Sequence, residues 1–179
     1  LQAVAAVDAR LAHDRRVLLA GDVVRPEPGV DGEALGVERV LMGDRDVIPA
    51  SVEAKSIIYL AGGWGAAYDL GTSEVLGRKV SEAYSMKIIL GSVCHGALGF
   101  LRAKDEKGNP LVTGKKMTAV TDKQVKELGI EITPQHPERE LRAAGALFEA
   151  KSSFRDMFAN FVVIDGAIVT GQNQNAGAE

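Results

Sequence analysis

One cysteine, three histidines and one tryptophan are the whole stock, in 179 residues, of several side chains that most often carry covalent, metal or stacking chemistry. A lone thiol cannot close an internal disulfide, so Cys94 has no stapling role, and its presence fits a reducing compartment. His13, His95 and His136 show no metal-ligand spacing among themselves or with Cys94, so no zinc site is expected. No apolar stretch reaches the roughly 18 residues that span a bilayer, and no charged-then-apolar leader stands at Leu1. The expectation is a cytoplasmic chain without a membrane partner. Basic residues number 21 against 24 acidic, a net charge of −3, and they form no stripe; nucleic acid is excluded as the main partner. What is present in quantity is apolar surface, 46% of residues, with 20 glycines. That suffices for one well-filled core, read as a single domain over 1–179.

The stretch that organises the rest is Ile88-Ile89-Leu90-Gly91-Ser92-Val93-Cys94-His95-Gly96. An apolar run of strand length ends in the cysteine and turns at His95-Gly96 into Ala97-Leu98-Gly99-Phe100-Leu101, which reads as the start of a buried helix reaching about Ala103. Small residues two positions either side of the cysteine, Ser92 and Gly96, are what a nucleophile elbow needs, because the strained turn has no room for bulk there. Such a turn aims a helix N-terminus at the sulfur and favours thiolate over thiol. The alternative is a small buried cysteine that only packs.

Along the chain, an alanine-rich stretch over 1–16 reads as a short helix. A first strand follows over Arg16 to Val24, then a Pro-, Gly- and acid-rich loop over 25–36 and a second strand over Glu38 to Met42. Ile57-Ile58-Tyr59-Leu60-Ala61 is a continuous apolar strand of the kind buried on both faces of a parallel sheet. It runs into the turn Gly62-Gly63-Trp64-Gly65, whose glycines allow positive φ and close backbone approach. A helix over Glu74 to Tyr84 carries a stripe of Val75, Leu76, Val80 and Ala83. Beyond the elbow come a strand at Met117 to Val120, a helix after Thr121-Asp122 ending at Gly129, and a helix over Glu138 to Ala144 stopped by Gly145. A hairpin joins Val162-Val163-Ile164 to Ala167-Ile168-Val169-Thr170 through Asp165-Gly166. The sequence stops at 171–179 in what reads as the opening of a helix. Strands alternating with helices predict an α/β fold with a mostly parallel sheet covered on both faces and its chemistry at the strands' carboxyl ends.

Gly62-Gly63-Trp64-Gly65-Ala66-Ala67-Tyr68-Asp69-Leu70, Val93-Cys94-His95-Gly96-Ala97, Thr121-Asp122, Glu140-Leu141-Arg142-Ala143-Ala144-Gly145 and Val169-Thr170-Gly171-Gln172-Asn173 occur in this order. Over roughly 56–179 the sequence thereby resembles the ThiJ/PfpI family, within the class I glutamine-amidotransferase-like superfamily, and most of all the branch of heat-shock glyoxalase chaperones. The resemblance implies a flavodoxin-like three-layer sandwich, a homodimer, and cofactor-free chemistry at the elbow. It also implies Cys94 as nucleophile, His95 as base, and the amides of Gly63 and His95 as oxyanion hole. In this branch a third, acidic residue orients the histidine, and its position here holds Val125, with Asp122 and Glu127 as nearby carboxylates. Residues 1–50 do not follow the family pattern; Glu27 and Glu33, in the loop after the first strand, are candidates for the glutamate that the family sets against the cysteine.

Trp64, beside the glycine turn, reads either as a pocket residue or as a core or interface aromatic. His136 is either a second acid/base lining the pocket or an exposed loop histidine. For Gln172 and Asn173, capping and turn hydrogen bonds are favoured over substrate contact. The leading functional expectation is a cysteine enzyme for small reactive carbonyls, of the glyoxalase or deglycase type. A peptidase or amidase with the same dyad, and a non-enzymatic redox sensor or holdase, are the alternatives. A glutamine amidotransferase ranks below these, since His136-Pro137-Glu138 copies the His-x-Glu spacing of those enzymes only superficially.

Overall fold

The computed structural model describes residues 17–21, 37–41, 57–155 and 159–178. The expected helix over 1–16, the loop over 25–36, His13, Glu27 and Glu33 lie outside the described residues. Six strands form one sheet in the order β2-β1-β3-β4-β8-β7, from β1 (Val17–Gly21), β2 (Val37–Leu41), β3 (Ile57–Leu60), β4 (Ile89–Val93), β7 (Val162–Asp165) and β8 (Ile168–Gly171). All neighbours are parallel except β7, which returns antiparallel along β8. This is the doubly wound arrangement of flavodoxin-like proteins, and it sets the ends of β3 and β4 side by side, with Leu60 opposite Ser92. The glycine turn and the elbow leave the sheet from those two ends.

The apolar runs fill the sheet interior as their composition demands. Leu60, Leu90 and Ile168 from three adjacent strands are fully buried, with Leu70, Leu98 and Phe100 packed over them. Each such side chain contributes about 1.5–3 kcal/mol of transfer free energy. Between the strands run α1 (Ala66–Asp69) and α2 (Glu74–Ser85), the latter capped by the Ser73 hydroxyl, which accepts from the Leu76 amide at 3.2 Å. Of the stripe expected on α2, Leu76, Val80 and Ala83 are buried, whereas Val75 is exposed.

Two elements differ from the sequence reading. The strand expected at Met117 to Val120 is only β5 (Lys116–Met117), paired in parallel with β6 (Leu147–Phe148) in a small second sheet. It stops there because the Thr118 amide donates to the side-chain hydroxyl of Thr170 at 2.9 Å instead of to a backbone carbonyl. The segment after the cysteine is a 3-10 helix, Cys94–Phe100, not an α-helix. Two further helices follow, α3 (Asp122–Glu127) and α4 (Pro137–Ala143), stopped by Gly129 and Gly145 at φ 67° and 85°. A capping box between Thr121 and Gln124 starts α3. Among the described residues no helix is long and apolar enough to cross a membrane.

Candidate active site

The elbow is strained in the way its sequence demands. Val93 is still extended, at φ −140°, and Cys94 then adopts φ +56°, a left-handed conformation that costs an ordinary side chain roughly 1–2 kcal/mol. The turn closes against β3 at two glycines. A Cβ on Gly62 would stand 2.7 Å from both Cys94 Cβ and the Val93 carbonyl oxygen, and one on Gly96 would fall onto the Leu60 carbonyl oxygen.

This close approach brings backbone donors to the sulfur. The N–H groups of His95 and Gly63 both point at Cys94 and pull its pKa down, as an oxyanion hole would. Burial outweighs them and pushes the thiol up to about 11. The resting thiolate expected from the helix N-terminus is therefore reversed: desolvating the anion costs more than two amides and a short 3-10 helix return. The residue as a whole nevertheless keeps part of its surface open to solvent. His95 Nδ1 lies 3.4 Å from the sulfur, although the ring belongs to the next residue in the chain, because the left-handed cysteine turns both side chains to one side. His95 is almost fully buried, and its pKa is lowered to about 4, first by burial and second by the neighbouring His136. Its other ring nitrogen, Nε2, is buried and has no hydrogen-bond partner among the described residues.

Among the described residues no carboxylate is bonded to His95. Asp122 is instead committed to α4: Oδ1 lies 3.2 Å from His136 Nδ1 and Oδ2 accepts from Arg139 Nε at 2.6 Å. Glu138 accepts from the Asp122 amide at 3.0 Å and from Arg142, so the His-x-Glu spacing of His136 and Glu138 does not build a pair against the sulfur. Val125 is buried in α3, and Glu127 stands 3.9 Å from Lys123. Trp64 is 47% exposed, donates from Nε1 to the Ile132 carbonyl at 2.8 Å and meets Tyr68 edge-on, so it is not a core aromatic.

Gln172 and Asn173 do the structural work favoured for them. The Gln172 amide both accepts from and donates to the backbone of Lys151, at 2.8 and 2.9 Å, while Asn173 Oδ1 accepts from the amides of Asn175 and Ala176. Gln172→Ala is expected to lower stability by about 2 kcal/mol, through two orphaned backbone groups, with KM unchanged. Urea unfolding beside steady-state kinetics checks it. Tyr59 was missed in the sequence. Its ring lies over Gly91, and burial followed by the nearby Cys94 raises its pKa to about 12, so it is a neutral neighbour of the sulfur. The available signal was its place as the one polar side chain in the run 57–61, directly before the glycine turn. Among the described residues no cluster of three or more His, Cys, Asp or Glu could hold a metal ion.

A doubly wound sheet whose strand β4 ends in a left-handed cysteine, with two amides and an imidazole on the sulfur, defines a cysteine-elbow protein of the flavodoxin-like class. No family model matches the chain. It is 33% identical over 127 residues, 69% of its length, to a probable glutathione-independent glyoxalase of Schizosaccharomyces pombe. To glyoxalase 3 of Candida albicans it is 30% identical over 133 residues. The chain spans about half the length of these curated relatives, 56% and 53%. The crystal structure of glyoxalase III from Candida albicans superposes with a TM-score of 0.66 at 21% identity, covering 90% of this chain and 92% of that one. The Rapid Encystment Protein of Francisella tularensis superposes at 0.69 and 18% identity, covering 91% and 94%. The chain belongs to the ThiJ/PfpI family, and the relatives cited are glutathione-independent glyoxalases by name.

Proposed function

We propose that the protein converts small 2-oxoaldehydes such as methylglyoxal to 2-hydroxy acids without cofactor, with Cys94 as nucleophile and His95 as its base. The observation that carries this reading is the sulfur itself, which has His95 Nδ1 at 3.4 Å and the amides of Gly63 and His95 directed at it. The names of the relatives support the same substrate class.

With a thiol at about 11 and an imidazole at about 4, the neutral pair is the resting state. Attack and proton transfer are therefore coupled. As sulfur bonds to the aldehyde carbon, its proton passes to His95 Nδ1, the carbonyl electrons move to oxygen, and the two amides hold the oxyanion until His95 protonates it. His95 then removes the hydrogen of that carbon to give an enediol and returns a proton to the adjacent carbon. The first carbon is oxidised to a thioester and the second reduced to an alcohol, so no external oxidant or reductant is needed. Water then breaks the C–S bond and releases the hydroxy acid.

Following methylglyoxal consumption and lactate formation for the wild type and Cys94→Ala tests the assignment. The variant is expected to lose turnover, and equal rates in the two would end the reading. The raised thiol pKa weighs against a redox sensor, since oxidisable sensor cysteines are exposed and low in pKa.

A further inference from the structure

Near His95 stands a second imidazole, His136, that the Cys94–His95 pair does not use. Asp122 sits at the start of α3 and His136 immediately before α4, and the two helices bring them together. Because Asp122 is also gripped by Arg139, its carboxylate is held in place, and the hydrogen bond to His136 puts the imidazole proton on Nδ1. In the neutral ring Nε2 is then a lone pair, and among the described residues the hydrogen bond of the His136 ring is the one at Nδ1. Asp122 and His136 keep about a third and a quarter of their side-chain surface open, 34% and 26%. The dyad is thus reachable by water. Helix α4, which His136 immediately precedes, packs on the elbow's 3-10 helix, and His136 is an electrostatic neighbour of His95.

His95 presents the complement. For Nδ1 to accept the thiol proton, the neutral ring must carry its hydrogen on Nε2, and that N–H is buried without an acceptor. A buried donor left unpaired costs about 1–3 kcal/mol, so a water or substrate hydroxyl against it is favoured.

We propose that His136, its tautomer fixed by Asp122, is the second base of the Cys94 site and activates the water that releases the product. The inference rests on the glyoxalase reading and concerns only its last step. The water oxygen bonds to the acyl carbon, its proton goes to His136 Nε2, and the C–S bond breaks. The sulfur leaves as thiolate and is reprotonated from solvent through His95, while His136 returns its proton to solvent. The Asp122–His136 pair supplies a carboxylate-backed base in a chain that holds Val125 where the related branch has its acid.

The test is methylglyoxal turnover by the whole chain as wild type, His136→Asn, His136→Ala, Asp122→Asn and Cys94→Ala, with intact mass after acid quench. His136→Asn is expected to lose about 100-fold in kcat, the scale of one general base, and to accumulate one lactoyl group on Cys94. Imidazole in the buffer should restore part of the turnover of His136→Ala, which a merely structural defect would not permit. Asp122→Asn should show the same adduct with a smaller loss. Unchanged kcat in His136→Asn, or a loss without the adduct, overturns the proposal. Those results with an inactive Cys94→Ala leave the glyoxalase reading standing, whereas an active Cys94→Ala removes both.

Discussion

Gly96→Ala is expected to destroy the elbow, with a loss of roughly 3 kcal/mol or more in unfolding free energy and no measurable turnover. The added methyl would fall onto the Leu60 carbonyl oxygen and stand 2.8 Å from the Leu60 carbonyl carbon and the Ala61 carbonyl oxygen. Those are backbone atoms of the strand end and turn beside the cysteine, so no side chain can swing aside to relieve the overlap. Relief requires separating the elbow from β3, and that separation carries the His95 and Gly63 amides away from one another. Gly108→Ala is the control. It has φ +83° and nothing within 4 Å of an added Cβ, so only the left-handed penalty of about 1–2 kcal/mol applies. Urea titrations of the two variants separate the cases; equal losses would mean that crowding at the elbow is not what matters.

The second large effect is in pH. Alkylation of Cys94 by iodoacetamide is expected to climb about tenfold per pH unit from neutrality and to level only near 11, where a free cysteine levels near its ordinary value of 9.0. A plateau below pH 8 would mean a resting thiolate and a site organised by the helix terminus after all. The same two groups bound the stability of the fold. The Cys94 thiol binds its proton more tightly folded than unfolded, so stability falls as pH rises from about 9 through about 11. His95 binds its proton less tightly folded than unfolded, so stability is full above 6.5 and falls as pH drops through about 4. Thermal unfolding across pH should show a plateau between those limits, and Cys94→Ala should remove the alkaline fall attributable to the thiol.

The parts of the site that were legible in the sequence are those built within a few consecutive residues. Ser92, Cys94 and Gly96 announce the elbow because a left-handed cysteine tolerates only small neighbours, and Gly62-Gly63 announce the turn that meets it because only glycine lets two backbones approach so closely. Gly166 at φ 62° likewise closes the β7–β8 hairpin foreseen at Asp165-Gly166. What was illegible needs two elements to pack. Asp122 and His136 are 14 residues apart, and the partner each has is decided by the angle at which α3 meets α4. Tyr59 neighbours the sulfur only because β3 lies against β4.

From residue order alone follow the alternation of strands and helices, the cysteine at a bend, and the glycine loop, because periodicity and backbone freedom are local properties that each short segment carries with it. The protonation of the sulfur, the burial of His95 and the pairing of Asp122 with His136 instead depend on how much water the surrounding elements exclude and which charges they bring near. Those are long-range quantities, and they reversed the resting thiolate that the elbow by itself implied.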